Sequence, residues 1–210
     1  KEEDLAVISY FGDGATAEGD VSEAFLFAAN NNSPIVFFCQ NNQWAISSPT
    51  ESQIKVPLYK RGAGFGVPGV RIDGNDVLAS YAVTAKNMDD AREGSGPFMI
   101  EALTYRIGAH TSSDDPTKYR DQAEVDYWTA RDPLARFEKF LRRQGVGNDF
   151  FAEVEAAGEA LATEIRDATF ALKEPPFENM FNHVYSEPHP RIDEQLDWLK
   201  RYESSFGEGN

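Results

Sequence analysis

The chain has 210 residues, 41% of them hydrophobic, and a formal net charge of −15 at pH 7 with an isoelectric point near 4.6. This acidic balance argues against nucleic acid and anionic membranes as partners, because both require basic surfaces, and no apolar run approaches the roughly 18 residues of a membrane span. The length and hydrophobic content predict one sizeable α/β core with appended helices.

The first elements read as a strand, a helix and a second strand. Residues 5–11 form an apolar run that stops at Gly12, which is typical of a buried parallel strand. Asp20 and Glu23 match a capping box that opens a helix over about residues 20–31, and residues 35–40 form a second buried strand. In a β-α-β unit both strands end at the same edge of the sheet, where open α/β sheets bind ligands.

Polar motifs follow both strands at that edge. Gly12, Asp13 and Gly14 follow the first, and Asn41 and Asn42 follow the second. Glycines allow backbone N–H groups to approach a diphosphate closely. Asp13 alone would repel the diphosphate, and a magnesium ion bound between them offsets this repulsion. Magnesium prefers carboxylate, amide and carbonyl oxygens as ligands. Each motif alone is usually a turn, but the spacing of the pair predicts a magnesium-diphosphate clamp with Asp13 and Asn42 as ligands.

Further along, residues 70–73 predict a strand that turns through Gly74 into a helix capped near Asn75 or Asp76. The acidic motif at residues 73–76 also resembles the magnesium loop of haloacid-dehalogenase phosphatases, although the Asp-x-Asp nucleophile element of that family is absent. Residues 97–103 predict another strand, and a polar loop with His110 follows it. Imidazole can donate to a phosphate or exchange a proton near neutral pH, so His110 is a candidate functional residue.

The second half of the chain predicts helices. Asp132 caps a helix with Pro133 in its first turn, another helix runs from Asn148 or Asp149 to Leu172, and a last amphipathic segment covers residues 190–202. We therefore expect an α/β fold, with a mostly parallel sheet and flanking helices in residues 1–145 and a helical C-terminal tail in residues 146–210. We expect the tail to pack on the sheet domain or on partner subunits.

The spacing from Asp13 to Asn42 is similar to the thiamine diphosphate fingerprint of decarboxylases, transketolases and 2-oxo acid dehydrogenases. Longer runs resemble the alpha chain of the heterotetrameric 2-oxo acid dehydrogenase first component. This resemblance extends over about residues 5–145 and implies the thiamine-diphosphate-binding fold, with residues 1–145 as the C-terminal part of the diphosphate-binding domain. The runs that carry it are residues 12–20, 37–47, 70–77 and 104–120.

The resemblance also implies site residues. Magnesium would be held by the side chains of Asp13 and Asn42 and by the Trp44 carbonyl. His110 would contact the diphosphate and take part in passing the acyl group to lipoamide. Gln40 stands where some members have an arginine, so its contact with the diphosphate would be neutral. The full cofactor-binding set is Gly12, Asp13, Gly14, Ala15, Gln40, Asn42, Trp44 and His110.

The implied function is oxidative decarboxylation of a 2-oxo acid, with a branched-chain acid favoured and pyruvate next. An acetoin dehydrogenase alpha chain and a non-catalytic scaffold chain are alternatives. The implied partners are a beta chain in a heterotetramer, the lipoyl domain of the acyltransferase component, and an N-terminal portion of the alpha chain that precedes the cofactor motif in the family. In this family, the glutamate that activates the aminopyrimidine of the cofactor belongs to the beta chain. We therefore expect this chain alone to be inactive. Its single cysteine fits a reducing compartment, the cytoplasm or alternatively the mitochondrial matrix.

Overall fold

Six strands form a four-stranded sheet and a small two-stranded hairpin in the computed structural model, which describes residues 5–206. The strands are β1 (Val7–Gly12), β2 (Ile35–Asn41), β3 (Trp44–Ala45), β4 (Ser48–Pro49), β5 (Gly69–Asp73) and β6 (Phe98–Leu103). The larger sheet has the order β1-β2-β6-β5, and every neighbouring pair in it is parallel. Strands β3 and β4 pair antiparallel. The predicted α/β class with a mostly parallel sheet is confirmed.

The described residues form seven helices. They are α1 (Gly19–Asn30), α2 (Thr50–Gln53), α3 (Val77–Arg92), α4 (Gln122–Thr129), α5 (Pro133–Arg143), α6 (Asn148–Ala171) and α7 (Pro190–Ser204). Helix α1 packs on one face of the larger sheet and α3 packs on the other. Helix α5 begins as predicted, because the Asp132 carboxylate accepts hydrogen bonds from the N–H groups of Leu134 and Ala135 at 2.9 and 3.0 Å. Among the described helices, none has both the length and the apolar character that crossing a membrane requires.

The core lies on the two faces of β2 and β6. On one face, Phe25 of α1 packs edge-on against Phe37 with ring centroids 4.9 Å apart, above the buried Cys39 and Met99. On the other face, Ile100 lies in a second cluster with side chains of α3. Burial of an aromatic side chain such as Phe25 stabilises the fold by about 2–3 kcal/mol. Burial also raises the pKa of the Cys39 thiol, and this cysteine is a packing residue of the core.

Two local predictions were wrong at the first strand and helix. Strand β1 is an edge strand, and Val7 and Tyr10 are 56% and 61% exposed, so it is not the buried strand that its apolar composition indicates. Helix α1 begins at Gly19 after Glu18, which makes no side-chain capping bond. Asp20 therefore lies within the first turn and cannot form the predicted capping box. Acidic residues are still favourable there because of the helix dipole.

The contacts between Cα atoms divide the chain into two compact units, one up to Val146 and one from Gly147 onward. The first contains both sheets and helices α1 to α5. The second contains α6 and α7, joined by residues that include a 3-10 turn at Phe177–Met180. The packing of the helical tail on the sheet domain or on partner subunits stays a prediction.

Candidate metal and diphosphate site

Two strand ends meet where the sequence predicts the clamp. Gly12 at the end of β1 is paired with Gln40 of β2, so Asp13 follows β1 at the same edge of the sheet at which Asn41 ends β2. The Thr50 hydroxyl lies between them. The hydroxyl donates a hydrogen bond to Asp13 Oδ2 at 2.7 Å, and its oxygen lies 3.2 Å from Asn41 Oδ1. A threonine that follows the β3–β4 hairpin thus joins the two halves of the predicted clamp.

The Asp13 carboxylate is buried but poorly satisfied. The residue is 2% exposed, and the bond from Thr50 is its one side-chain hydrogen bond with the residues that the structure describes. A carboxylate can accept about four hydrogen bonds, and burying it with so few partners is unfavourable. A cation beside Asp13 would offset that cost. The site therefore has the electrostatic character that a bound metal requires.

The metal would depend on oxygens other than carboxylates. Within residues 5–206, no group of three or more His, Cys, Asp or Glu side chains is placed to hold a metal ion. Asn42 Oδ1 accepts a hydrogen bond from the Trp44 N–H at 3.1 Å, and the Trp44 carbonyl accepts one from Arg106 Nη1 at 3.3 Å. Each oxygen keeps a second lone pair. One carboxylate with an amide and a carbonyl, completed by phosphate and water, fits magnesium.

The backbone is strained on both sides of β3. Gln43 has a φ of 70°, and Ile46 has a φ of 54°, which is unfavourable for a β-branched side chain. Asn41 Oδ1 accepts a hydrogen bond from the Gln43 N–H at 3.0 Å and so stabilises the turn locally. Strained backbone that is held by surrounding bonds is common at functional sites.

The two clamp glycines are not equivalent. A Cβ placed on Gly14 would lie 2.8 Å from the Ala45 Cβ, whereas one on Gly12 would have nothing within 4 Å. Neither residue has a positive φ. Gly14 is therefore required because the backbone after β1 passes close to the β3–β4 hairpin, and the structure gives Gly12 no such reason. Ala15 lies half-buried in the 3-10 turn Gly14–Ala17, and Gln40 is exposed at the end of β2.

A buried acidic residue supports this edge from behind. Glu101 of β6 is fully buried, and its Oε1 accepts hydrogen bonds from Asn41 Nδ2 and Arg71 Nη2, both at 2.7 Å. Its Oε2 accepts one from the Tyr59 N–H at 2.9 Å. Sequence analysis missed Glu101, although one acidic residue inside an otherwise apolar strand is a recognisable signal. Thr50 was also missed, and nothing in its local sequence marks it.

His110 lies in an exposed loop that polar bonds hold in place. Its backbone N–H donates to Asp114 Oδ2 at 2.8 Å, and the Tyr119 hydroxyl donates to the same oxygen at 2.6 Å. Arg106 Nη2 donates to the Tyr119 hydroxyl at 2.8 Å and to the Ile46 carbonyl at 2.7 Å. The hydrogen bond from Tyr119, and then that from His110, lower the pKa of Asp114. Arg106 links the loop to the β3–β4 hairpin, which contains Trp44 and Ile46.

Arg120 fixes the beginning of the same loop. Its guanidinium donates hydrogen bonds to the carbonyls of Arg106, Ile107 and Gly108 and lies over the Tyr105 ring at 5.5 Å from the centroid. Asp114, Tyr119 and Arg120 therefore hold this loop through internal hydrogen bonds. The imidazole of His110 makes no hydrogen bond to the described residues, so its contact with a diphosphate stays a prediction.

The alternative acidic loop has a structural role. The Asp76 carboxylate caps α3 by accepting from the Ala79 N–H at 2.9 Å, and Asp73 accepts from the Asn75 N–H at 2.9 Å. Arg136 of α5 also pairs with Asp73 at 2.9 Å. These carboxylates are engaged in capping and ion pairing, as the simpler interpretation predicts.

An open cavity of about 800 Å³ adjoins the clamp. Asn41, Trp44 and Thr50 line one side of it, and Arg71 and Tyr119 also line it. Ligand sites commonly have volumes of about 300–1,000 Å³, so this space is large enough for a cofactor.

Comparison with known proteins identifies similar chains. A family model described as dehydrogenase E1 component matches residues 1–180. The chain is 46% identical over 201 residues to the 3-methyl-2-oxobutanoate dehydrogenase subunit alpha of Mycobacterium tuberculosis. The aligned region covers 95% of this chain and 55% of that relative. It is 41% identical to the pyruvate dehydrogenase E1 component subunit alpha of Acholeplasma laidlawii, covering 91% of this chain and 56% of that protein.

A human protein gives a similar result. The mitochondrial 2-oxoisovalerate dehydrogenase subunit alpha of Homo sapiens is 39% identical over 207 residues, which is 96% of this chain and 46% of the relative. The chain spans about half the length of the curated relatives it matches.

Proposed function

Since the chain belongs to the dehydrogenase E1 component family, we propose that it forms part of the alpha subunit of a 2-oxo acid dehydrogenase and anchors thiamine diphosphate through magnesium. Family membership implies the use of thiamine diphosphate. The observation that carries the magnesium proposal is Asp13, a carboxylate 2% exposed with one side-chain hydrogen bond among the described residues, beside the amide that ends the next strand. The residues present fit a diphosphate-bound divalent cation.

Each residue of the site has a defined task in this proposal. The Asp13 carboxylate, the Asn42 amide oxygen and the Trp44 carbonyl bind the cation, and Gly14 keeps the two halves close together. The His110 imidazole would donate a hydrogen bond to a diphosphate oxygen and would exchange a proton during acyl transfer. When bound, thiamine diphosphate supplies the electron sink that decarboxylation of a 2-oxo acid needs. The protein supplies binding and orientation.

The substrate we propose is a branched-chain 2-oxo acid, with pyruvate as the second candidate. Relatives from Mycobacterium tuberculosis and Homo sapiens carry names that specify branched-chain acids, and the Acholeplasma laidlawii relative is named for pyruvate. These names do not favour an acetoin dehydrogenase or a scaffold chain. The partners that we propose are a beta chain, the lipoyl domain of the acyltransferase component and the remaining part of the alpha chain.

Metal-dependent cofactor binding tests the clamp. The full-length alpha chain, assembled with its beta chain, is titrated with thiamine diphosphate at fixed magnesium while tryptophan fluorescence is recorded. We expect quenching that requires magnesium, because Trp44 lies at the site and is 8% exposed. Asp13→Ala should abolish this response. The matched control is Asp20→Ala, which removes an exposed aspartate of α1 with the same change of charge.

The response should disappear in Trp44→Phe, which keeps the backbone carbonyl, while cofactor binding measured by calorimetry persists. Undiminished cofactor affinity in Asp13→Ala would refute the clamp.

A panel of 2-oxo acids with an artificial electron acceptor tests the substrate. On the same assembly, we expect a higher kcat/KM for 3-methyl-2-oxobutanoate than for pyruvate. The opposite preference would assign the chain to the pyruvate enzymes and leave the clamp intact.

A further inference from the structure

The position of Thr50 is fixed by backbone bonds that do not involve its side chain. Its N–H donates to the Gln43 carbonyl at 3.0 Å, and its carbonyl accepts from the Ile54 N–H at 3.0 Å. The preceding residue, Pro49, is paired with Trp44 in the β3–β4 hairpin. The hydroxyl is therefore held beside Asp13 whether or not a ligand is bound. This is the pre-organisation expected of a group that supports a binding site.

The orientation of the Asn41 amide decides where the Thr50 proton points. Asn41 Nδ2 donates to the buried Glu101, so Asn41 Oδ1 faces the Gln43 N–H and the Thr50 hydroxyl. The hydroxyl has one proton and two acceptors. Asp13 Oδ2 at 2.7 Å is closer than Asn41 Oδ1 at 3.2 Å, and it belongs to a charged group, which is the stronger acceptor. The proton is directed to Asp13.

One oxygen of Asp13 is therefore engaged, and the other is free to bind a metal. The residues that the structure describes form no hydrogen bond to Oδ1. A carboxylate held in this way binds a cation through one oxygen. Magnesium accepts this geometry in a rigid octahedral shell, whereas calcium, which is larger, takes carboxylates through one or both oxygens.

We propose that Thr50 is a positioning residue that holds Asp13 Oδ2, restricts the carboxylate to one metal bond and so favours magnesium over calcium. This inference rests on the proposed function, because it assumes that Asp13 binds the metal. In this proposal Thr50 acts without a bond of its own to the metal. Its effect is exerted through the orientation of the Asp13 carboxylate.

Metal titrations on the full-length alpha chain with its beta chain test this role. At saturating thiamine diphosphate, the apparent Kd for magnesium and for calcium is measured from tryptophan fluorescence. Thr50→Val keeps the shape and removes the hydroxyl. We expect a rise of about ten-fold in the Kd for magnesium and a fall of about three-fold or more in the preference for magnesium over calcium. Thr50→Ser, which keeps the hydroxyl, should restore both values to within about three-fold of the wild type.

The matched control is Thr84→Val. The Thr84 hydroxyl of α3 is buried and has no hydrogen-bond partner among residues 5–206, so its removal tests the loss of a buried hydroxyl elsewhere in the same domain. This variant should bind both metals like the wild type. If Thr50→Val does not assemble, Thr50→Ala removes the hydroxyl without adding bulk and is measured instead.

Unchanged magnesium affinity in Thr50→Val, or weakening that Thr50→Ser does not rescue, would overturn the positioning role. An equal loss in Thr84→Val would do the same. Neither result affects the proposed function if Asp13→Ala abolishes metal-dependent binding. Retained binding in Asp13→Ala refutes the clamp itself, so the two failures are distinct.

Discussion

Asp13 and Asn42 follow directly after paired strands, whereas His110 lies in a loop that begins after β6 and contains only a short 3-10 turn. The clamp is braced by a buried carboxylate, by the hairpin and by neighbouring strands. The loop is held by exposed or half-buried side chains. Asp114 and Tyr119 hold it through their hydrogen bonds, and the Arg120 guanidinium holds it by donating to backbone carbonyls. Both belong to the same compact unit and are joined through Arg106, but their supports differ in kind.

This difference indicates a division of roles. Buried bonds on a sheet edge cannot be exchanged for water without cost, so the clamp is formed before a ligand arrives. Bonds at the surface compete with water and contribute little individually. The loop can therefore adjust when a cofactor or a partner approaches. Four predictions test this comparison, beginning with the support of the clamp.

The largest effect is expected from Glu101→Ala. This change leaves the Asn41 amide and the Tyr59 N–H without their buried acceptor, and it opens a cavity in the sheet. We expect the free energy of unfolding to fall by about 3 kcal/mol, measured by urea denaturation of the assembled protein. The control is Arg92→Ala, which breaks an ion pair with Asp89 at the surface of α3. The two side chains are 37% and 70% exposed, so this loss should cost about 1 kcal/mol or less. Equal losses in the two variants would contradict the clamp's dependence on buried bonds.

Next in size is Gly14→Ala. The added Cβ would lie 2.8 Å from the Ala45 Cβ and would push the two halves of the clamp apart, at a cost of about 1–3 kcal/mol in unfolding free energy. Gly12→Ala is the matched control, because its Cβ would meet nothing within 4 Å, and it should change stability by no more than about 0.5 kcal/mol. The double variant Gly14→Ala/Ala45→Gly should recover part of the loss. Similar values for Gly12→Ala and Gly14→Ala would show that the close approach is unimportant.

Much of the fold follows from sequence patterns with a local cause. The run at residues 35–39 is apolar throughout because this part of β2 is covered on both faces. Asp132 before Pro133 marks the start of α5 because both residues suit a helix N-terminus. The same reasoning placed β1 in the interior. It failed there because apolar composition does not distinguish an edge strand from a central one, and Tyr10 is 61% exposed.

The candidate site could be predicted only in part, because some of its contacts join residues that are far apart in the sequence. Asp13 and Asn42 are found from the sequence because each directly follows a strand. Thr50 reaches Asp13 over a separation of 37 residues, and Glu101 reaches Asn41 over a separation of 60. Such contacts depend on the pairing order of the strands, which no local pattern encodes. The supports of the site are therefore harder to predict than the groups that they hold.

A smaller and more local effect is expected from Tyr119→Phe. The variant removes the hydroxyl that joins Arg106 to Asp114, while the ring can keep its contact with Trp44 at 5.2 Å between centroids. We expect amide hydrogen exchange in residues 106–120 to become about five-fold faster. Exchange in β2 should not change. Tyr81→Phe, at a position on α3 that is 75% exposed, is the control. Faster exchange in β2 would mean that loop and clamp form one cooperative unit.

The smallest effect is expected from acidification of the loop. The hydrogen bonds from Tyr119, and then from His110, lower the pKa of Asp114 below its ordinary value of 3.8. A carboxyl group with a lowered folded-state pKa stabilises the loop above the unfolded pKa, and this contribution is lost as the pH falls through the folded value. The difference in exchange between wild type and Asp114→Asn should therefore be constant from pH 7 to about 5 and disappear below 3.8. Tyr119→Phe removes the principal cause of the lowered pKa, so in that background the difference should disappear at a higher pH. A difference that does not decrease at any pH below 3.8 would show that the ionised Asp114 does not hold the loop. The contrast with the buried clamp would then need another cause.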